Sequence, residues 1–189
     1  MNFLKEIKKV RSSEGGYSND PDDPGGETYC GISRKFFPRW IGWHIVDRAK
    51  RNSGRKLRSN EKIYDPEMYR AINEFYFKYF WAPLKCDRIK DPILSAHLFD
   101  CGINLGKSGA VKFFQESINK KLKKSDRLIV DGKIGRKTLK ALNSRNGTFV
   151  NFVVQERINL YFEKCRQKPV KYKFLKGWTL RSLKYLKKH

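Results

Sequence analysis

Two carboxylates nine residues apart, Glu14 and Asp23, stand in a stretch chemically unlike the rest of the chain. From Glu14 to Thr28 there are five acidic residues (Glu14, Asp20, Asp22, Asp23, Glu27) and no Lys or Arg. Like charges gathered in one loop cost stability, so the run points to a gain elsewhere, in function. Glu14 follows Val10 by four residues and Ile7 by seven, which places it on the apolar face at the last turn of a helix. Partial burial and the negative end of the helix dipole both favour the protonated carboxyl there. A carboxyl with a raised pKa is what a general acid needs at neutral pH. The structural alternative is that Glu14 only bonds the loop backbone. Asp23 supplies a second carboxylate from a glycine-tethered loop, and two carboxylates flanking a scissile bond are the minimum apparatus of glycoside hydrolysis. A calcium loop is the rival reading. Asp20-Pro21-Asp22-Asp23-Pro24-Gly25 lacks the EF-hand oxygen spacing, contains two prolines and leads to no acid at position twelve.

The elements that must position these groups are mostly helical. Phe3, Leu4, Ile7 and Val10 form an apolar stripe opposite Lys5, Glu6, Lys8 and Lys9, and Gly15-Gly16 should end that helix. Residues 15–33 read as loop or short hairpin, and a Trp-rich helical stretch runs from about Pro38 to Lys50, followed by a basic loop over 51–62. Asp65-Pro66 and Asp91-Pro92 each place an N-cap acid before a proline at the first helical position. The helix from Pro92 is apolar almost all round, as expected of a central helix wrapped by others. Further helices are expected at Gly109–Lys121, Gly135–Leu142 and Phe149–Arg166, with an extended segment over Leu128–Gly132. The fold expected is mainly α, with a small β or loop region after the first helix.

The chain of 189 residues carries 42 Lys plus Arg against 19 Asp plus Glu, a net charge of +23 that concentrates polyanions around it. Nucleic acid, an anionic membrane face and an anionic cell envelope are the natural partner classes. No apolar run is long enough to span a bilayer, and the N-terminus is charged too early for a signal peptide, so synthesis in the cytoplasm with other machinery for exit is expected. The scattered Cys30, Cys86, Cys101 and Cys165 read as reduced core thiols. His44, His97 and His189 form no metal-ligand pattern, and no cofactor or metal is expected. Trp40, Trp43 and Trp81 read as core.

The stretch Glu14-Gly15-Gly16-Tyr17-Ser18-Asn19-Asp20-Pro21-Asp22-Asp23-Pro24-Gly25-Gly26-Glu27-Thr28-Tyr29-Cys30-Gly31-Ile32-Ser33 resembles the signature of the glycoside hydrolase family 108 muramidases, a family that includes phage endolysins and bacterial proteins labelled secretion activators. Glu14, Asp23 and Thr28 are also similar to the Glu-Asp-Thr set of phage-type lysozymes, where the second gap is usually one residue longer. The likeness continues through Phe75–Trp81 and Phe99–Gly106. Residues 107–181 resemble the companion peptidoglycan-binding region, in Gln115, Asp131–Gly135 with Thr138, and Gly177–Arg181. The resemblance implies a lysozyme-like helical fold and cleavage of the β-1,4 bond between N-acetylmuramic acid and N-acetylglucosamine, with Glu14 as the acid and Asp23 and Thr28 beside it. It implies a catalytic region over 1–106 and a peptidoglycan-binding-like region over 107–189, which the absence of a Gly/Ser/Pro-rich spacer suggests pack as one unit.

Asp100 and Asn104 share one helix face, either on the floor of the cleft or bonding loop backbone. Tyr17 and Asn19 are candidates to contact sugar, with turn and packing roles as the alternative. Peptidoglycan is the expected partner, with anionic envelope polymers held by electrostatics, no specific nucleic acid, and a monomer favoured. The competing class is a nucleic-acid-binding module using Lys171–Trp178, where bases could stack between phosphate contacts; it leaves the acidic loop without a purpose.

Overall fold

Glycine ends the first helix where the sequence predicts: α1 (Phe3–Ser13) stops ahead of Gly15, which has φ +75°, a conformation that costs glycine little. The structure, a computed structural model, describes residues 3–13, 15–20, 25–145 and 147–187. The chain forms two compact units, one running up to Tyr79 and the other from Phe80 onward. The expected junction at 106/107 therefore falls inside the second unit.

In the first unit Ile7 and Val10 of α1 are buried, but Leu4 is 53% exposed, so the apolar stripe is narrower than the spacing suggests. Glu6, expected on the outer side, is only 8% exposed and is offset by Lys9 at 2.9 Å. Three two-residue strands follow: β1 (Tyr17–Ser18), β2 (Thr28–Tyr29) and β3 (Ile32–Ser33), antiparallel in that order. Tyr17 registers with Tyr29, and Thr28 lies opposite Ser18 on one side and Ser33 on the other. The β2–β3 turn needs two positive φ angles, which Cys30 (50°) and Gly31 (75°) supply. A left-handed Cys30 costs about 1–2 kcal/mol. It is held from both sides: its N–H donates to Gly16 O (3.0 Å), and Tyr76 Oη donates to its carbonyl (2.8 Å).

Helix α2 (Gly42–Ser53) begins later than expected because Pro38–Ile41 turn back on Phe37 and Trp40; it ends at left-handed Gly54. Helix α3 (Pro66–Tyr76) is capped by Asp65, whose carboxylate accepts from Glu67 N at 2.7 Å, and a π-helical turn, Phe77–Trp81, follows it. Trp40 and Trp43 are core: their indole N–H groups donate to Ala71 O (3.1 Å) and Phe37 O (2.8 Å), and their rings meet edge to face at 5.2 Å.

The second unit is built on α4 (Pro92–Leu105), capped by Asp91 and buried continuously from Leu94 to Gly102. Its further helices are α5 (Lys107–Asn119), α6 (Arg136–Asn143), α7 (Gly147–Gln167) and α8 (Tyr172–Leu183). Helix α4 packs on α5, and α7 packs on α5 and α8. The expected extended segment over 128–132 forms no strand. Asn119 replaces a ladder there, donating to Leu128 O (2.9 Å) and accepting from Leu128 N (2.7 Å). All four cysteines are buried free thiols, and burial pushes Cys86 and Cys101 up to about 12. Among the described residues, no helix is long and apolar enough to cross a membrane.

Candidate active site

The chain immediately after Glu14 is docked by backbone hydrogen bonds. Tyr17 N–H donates to Glu61 O (2.9 Å), and Asn60 N–H donates back to Tyr17 O (2.7 Å), so the segment at 60–61 runs along the free edge of β1. A Cβ on Gly16 would lie 2.2 Å from Glu61 O, which explains why glycine stands there. The two segments border an open cleft of about 910 Å³, lined by Tyr17, Ser18, Asn19 and Asp20 and by Lys50, Gly54, Arg55, Lys56, Leu57 and Ser59.

Behind the cleft lies a charge network. Glu27 pairs with Lys50 and with Arg34 (2.9 Å), and Arg34 also holds Asp47 at 2.7 Å. The cost of Glu27 in the acidic run is thereby offset by two cations from outside it. Burial first, and then the Glu27 carboxylate, push the Tyr17 hydroxyl above its ordinary value, so it is a neutral hydrogen-bonding group at pH 7. Burial alone would lower Lys50, but its bond to Glu27 outweighs that and holds the ammonium charged. Lys50 Nζ also lies 5.3 Å from the centre of the Tyr17 ring.

The sequence-predicted residues divide into separate groups. Tyr17 and Asn19 line the cleft together; Thr28 sits on the central strand of the same sheet and does not line it. Glu14 and Asp23 lie outside the described residues; in the chain Glu14 precedes Gly15 directly, and Asp23 stands between Asp20 and Gly25. Asp100 and Asn104 belong to the second unit. Asp100 is 4% exposed and both its oxygens are taken, by Arg157 (2.6 Å) and Arg181 (2.8 Å). Asn104 Nδ2 donates to Asp100 O at 2.7 Å. Burial by itself would pull the Arg157 guanidinium down; Cys101 and Asp100 beside it hold it above its ordinary value. His97, stacked on Tyr185 at 5.0 Å, is pushed well below the usual range by burial and by Arg157, and is neutral.

In the C-terminal region Gln115 gathers the Asp131–Gly135 turn. Its Nε2 donates to Asp131 Oδ1 (2.9 Å) and to Thr138 Oγ1 (3.2 Å), and its Oε1 accepts from Gly132 N (3.0 Å). Gly132 has φ +75°, and a Cβ there would meet Ser108 Oγ at 2.3 Å. Arg157 stands in no motif of the sequence, and Arg181 stands there only within the Gly177–Arg181 stretch of the resemblance; for the cleft cations, Lys50 and the concentration of basic residues in the 51–62 loop were the available signal. Among the described residues, no cluster of three or more His, Cys, Asp or Glu side chains could hold a metal ion.

Residues 7–106 match the family model described as Glycosyl hydrolase 108, and residues 109–183 match the one described as Predicted Peptidoglycan domain. No curated protein sequence matches the chain. Among solved structures it is similar to SagA of Brucella abortus, at 25% identity and a TM-score of 0.63, over 97% of this chain and 90% of that one. The fold is the lysozyme-like, mainly α one, and the chain belongs to the glycosyl hydrolase 108 family, with a peptidoglycan-binding domain at its C-terminal end: a glycoside hydrolase acting on peptidoglycan.

Proposed function

We propose that the protein is an N-acetylmuramidase that hydrolyses the β-1,4 bond between N-acetylmuramic acid and N-acetylglucosamine. The observation that carries this reading is the polar cleft along residues 17–20, in the segment that joins Glu14 to Asp23, in a chain of the glycosyl hydrolase 108 family. Glu14 protonates the departing glycosidic oxygen, and Asp23 either activates the attacking water or stabilises the oxocarbenium-like transition state. Because the sequence reads Asp23 as a loop residue, where a water between the two carboxyls is easy to accommodate, inversion of the anomeric centre is the outcome we favour. Tyr17, neutral and hydrogen-bonding, contacts sugar with Asn19, and Thr28 supports them from β2. Asp100 and Asn104 are left out of the sugar-contacting set, since two guanidiniums already occupy the carboxylate of Asp100. The net charge of +23 holds the enzyme near the anionic wall by screened, sequence-independent attraction.

The test is digestion of isolated peptidoglycan with mass-spectrometric identification of the new reducing ends. Muramic acid at those ends supports the reading, and glucosamine ends would make the enzyme a glucosaminidase.

A further inference from the structure

Resting on the muramidase reading, we infer that the cleft carries a subsite for the carboxylates of the stem peptide, with Lys56 as its free cation and Arg55 and Lys50 beside it. From Lys50 to Asn60 the chain has five basic residues (Lys50, Arg51, Arg55, Lys56, Arg58) and no acid. Three of them, Lys50, Arg55 and Lys56, line the cleft that Tyr17 and Asn19 also line.

This basic segment is held in shape by its own bonds. Ser53 Oγ donates to Arg55 O (2.8 Å), Arg55 reaches both oxygens of Glu61 (2.9 and 3.0 Å) and the carbonyl of Lys56 (3.0 Å), and Glu61 also accepts from Arg58 N (2.7 Å). The backbone bonds between Tyr17 and residues 60–61 tie the knot to β1, so the cations keep a fixed place relative to Tyr17. Glu61 offsets the charge of Arg55, and Glu27 offsets that of Lys50. The ammonium of Lys56 is exposed and no described acid pairs with it.

In peptide-bearing glycan the lactyl carboxyl of muramic acid is tied up as the amide that carries the peptide, so the backbone itself is neutral and has no group that would repay a basic wall. The peptide borne by muramic acid ends in carboxylates, the one anionic group that peptidoglycan itself brings to this cleft. An exposed pair of this kind contributes about two- to fivefold in affinity and is screened by salt.

The experiment compares kcat/KM on peptide-bearing glycan with that on the same glycan whose peptide carboxylates have been converted to amides. The unaltered protein should prefer the chain with free carboxylates, and the preference should shrink as salt rises. Lys56→Gln should lower the ratio about two- to fivefold through KM, Lys56→Glu should lower it further, and Lys56→Arg should restore it. A ratio of one in the unaltered protein, or a ratio unmoved by Lys56→Glu, overturns the subsite and leaves the muramidase reading standing. Cleavage of neither glycan by the unaltered protein overturns that reading, and the subsite with it.

Discussion

Replacing Asp100 by Ala tests whether the cluster of Asp100 with Arg157 and Arg181 is structural. Arg157 has 0% side-chain exposure and lies 2.6 Å from the carboxylate, while Arg181 is 20% exposed at 2.8 Å. Removing Asp100 strands the buried Arg157 charge. Its Nε donates to Tyr161 Oη (2.8 Å), and Nη2 has no hydrogen-bond partner among the described residues, so the Asp100 carboxylate is what offsets its charge. Breaking a buried pair from one side costs about 3–5 kcal/mol. Arg181, partly hydrated, adds about 1 kcal/mol or less to the loss after solvent screening. For a unit of this size that corresponds to a fall in melting temperature on the order of 10 °C or more. Urea denaturation followed by tryptophan fluorescence and circular dichroism measures it, with Arg181→Met as the milder companion. An Asp100→Ala protein that loses less than about 1 kcal/mol while losing turnover would refute this reasoning and put Asp100 back among sugar-contacting groups.

Glu14→Gln removes the proposed proton donor while keeping its shape, so turnover should fall at least 10²- to 10⁴-fold with little change in stability, and Asp23→Asn should also impair it; wall-digestion kinetics with a parallel melting curve separate the two effects. In a structure of the complex, carboxyl groups about 6.5–9.5 Å apart would agree with inversion, and about 5–5.5 Å with a covalent intermediate. Truncation before Lys107 removes α5, which packs on α4, together with α6 to α8, and should give insoluble or molten protein; a soluble, cooperatively melting 1–106 fragment would contradict this. Binding to intact wall should weaken with salt more than cleavage of a short soluble muropeptide does, as compared in sedimentation and turnover assays. Cys86 and Cys101 release their protons near 9.0 in the unfolded chain but near 12 when folded, so the folded state holds them more tightly and stability should decline as pH rises from 9 towards 12; denaturation midpoints across that range check the sign.

Features that depend on neighbours in the chain were legible from the residues alone. Asp65-Pro66 and Asp91-Pro92 cap helices because an N-cap needs only its own carboxylate and the next amides, and Gly15 ends α1 through its own backbone freedom. The apolar circumference of α4 announced its burial for the same local reason. The acidic run with Glu14 and Asp23 stood out by composition. What only the tertiary structure decided are partnerships between distant positions. Asp100 and Asn104 read as one polar face, on the floor of the cleft or bonding loop backbone, and the pairing of Asp100 with Arg181, 81 residues away, is one that no spacing announced. The 51–62 loop read as merely basic until two backbone hydrogen bonds laid residues 60–61 against Tyr17 and made the loop one wall of a cleft. Helix α8 was not anticipated, because Phe174, Leu180 and Leu183 on its exposed side blur the apolar period that marks a helix face. Local preference is fixed by bonds within one helical turn, whereas these placements arise only when packing brings remote segments together, and no spacing in the chain encodes them.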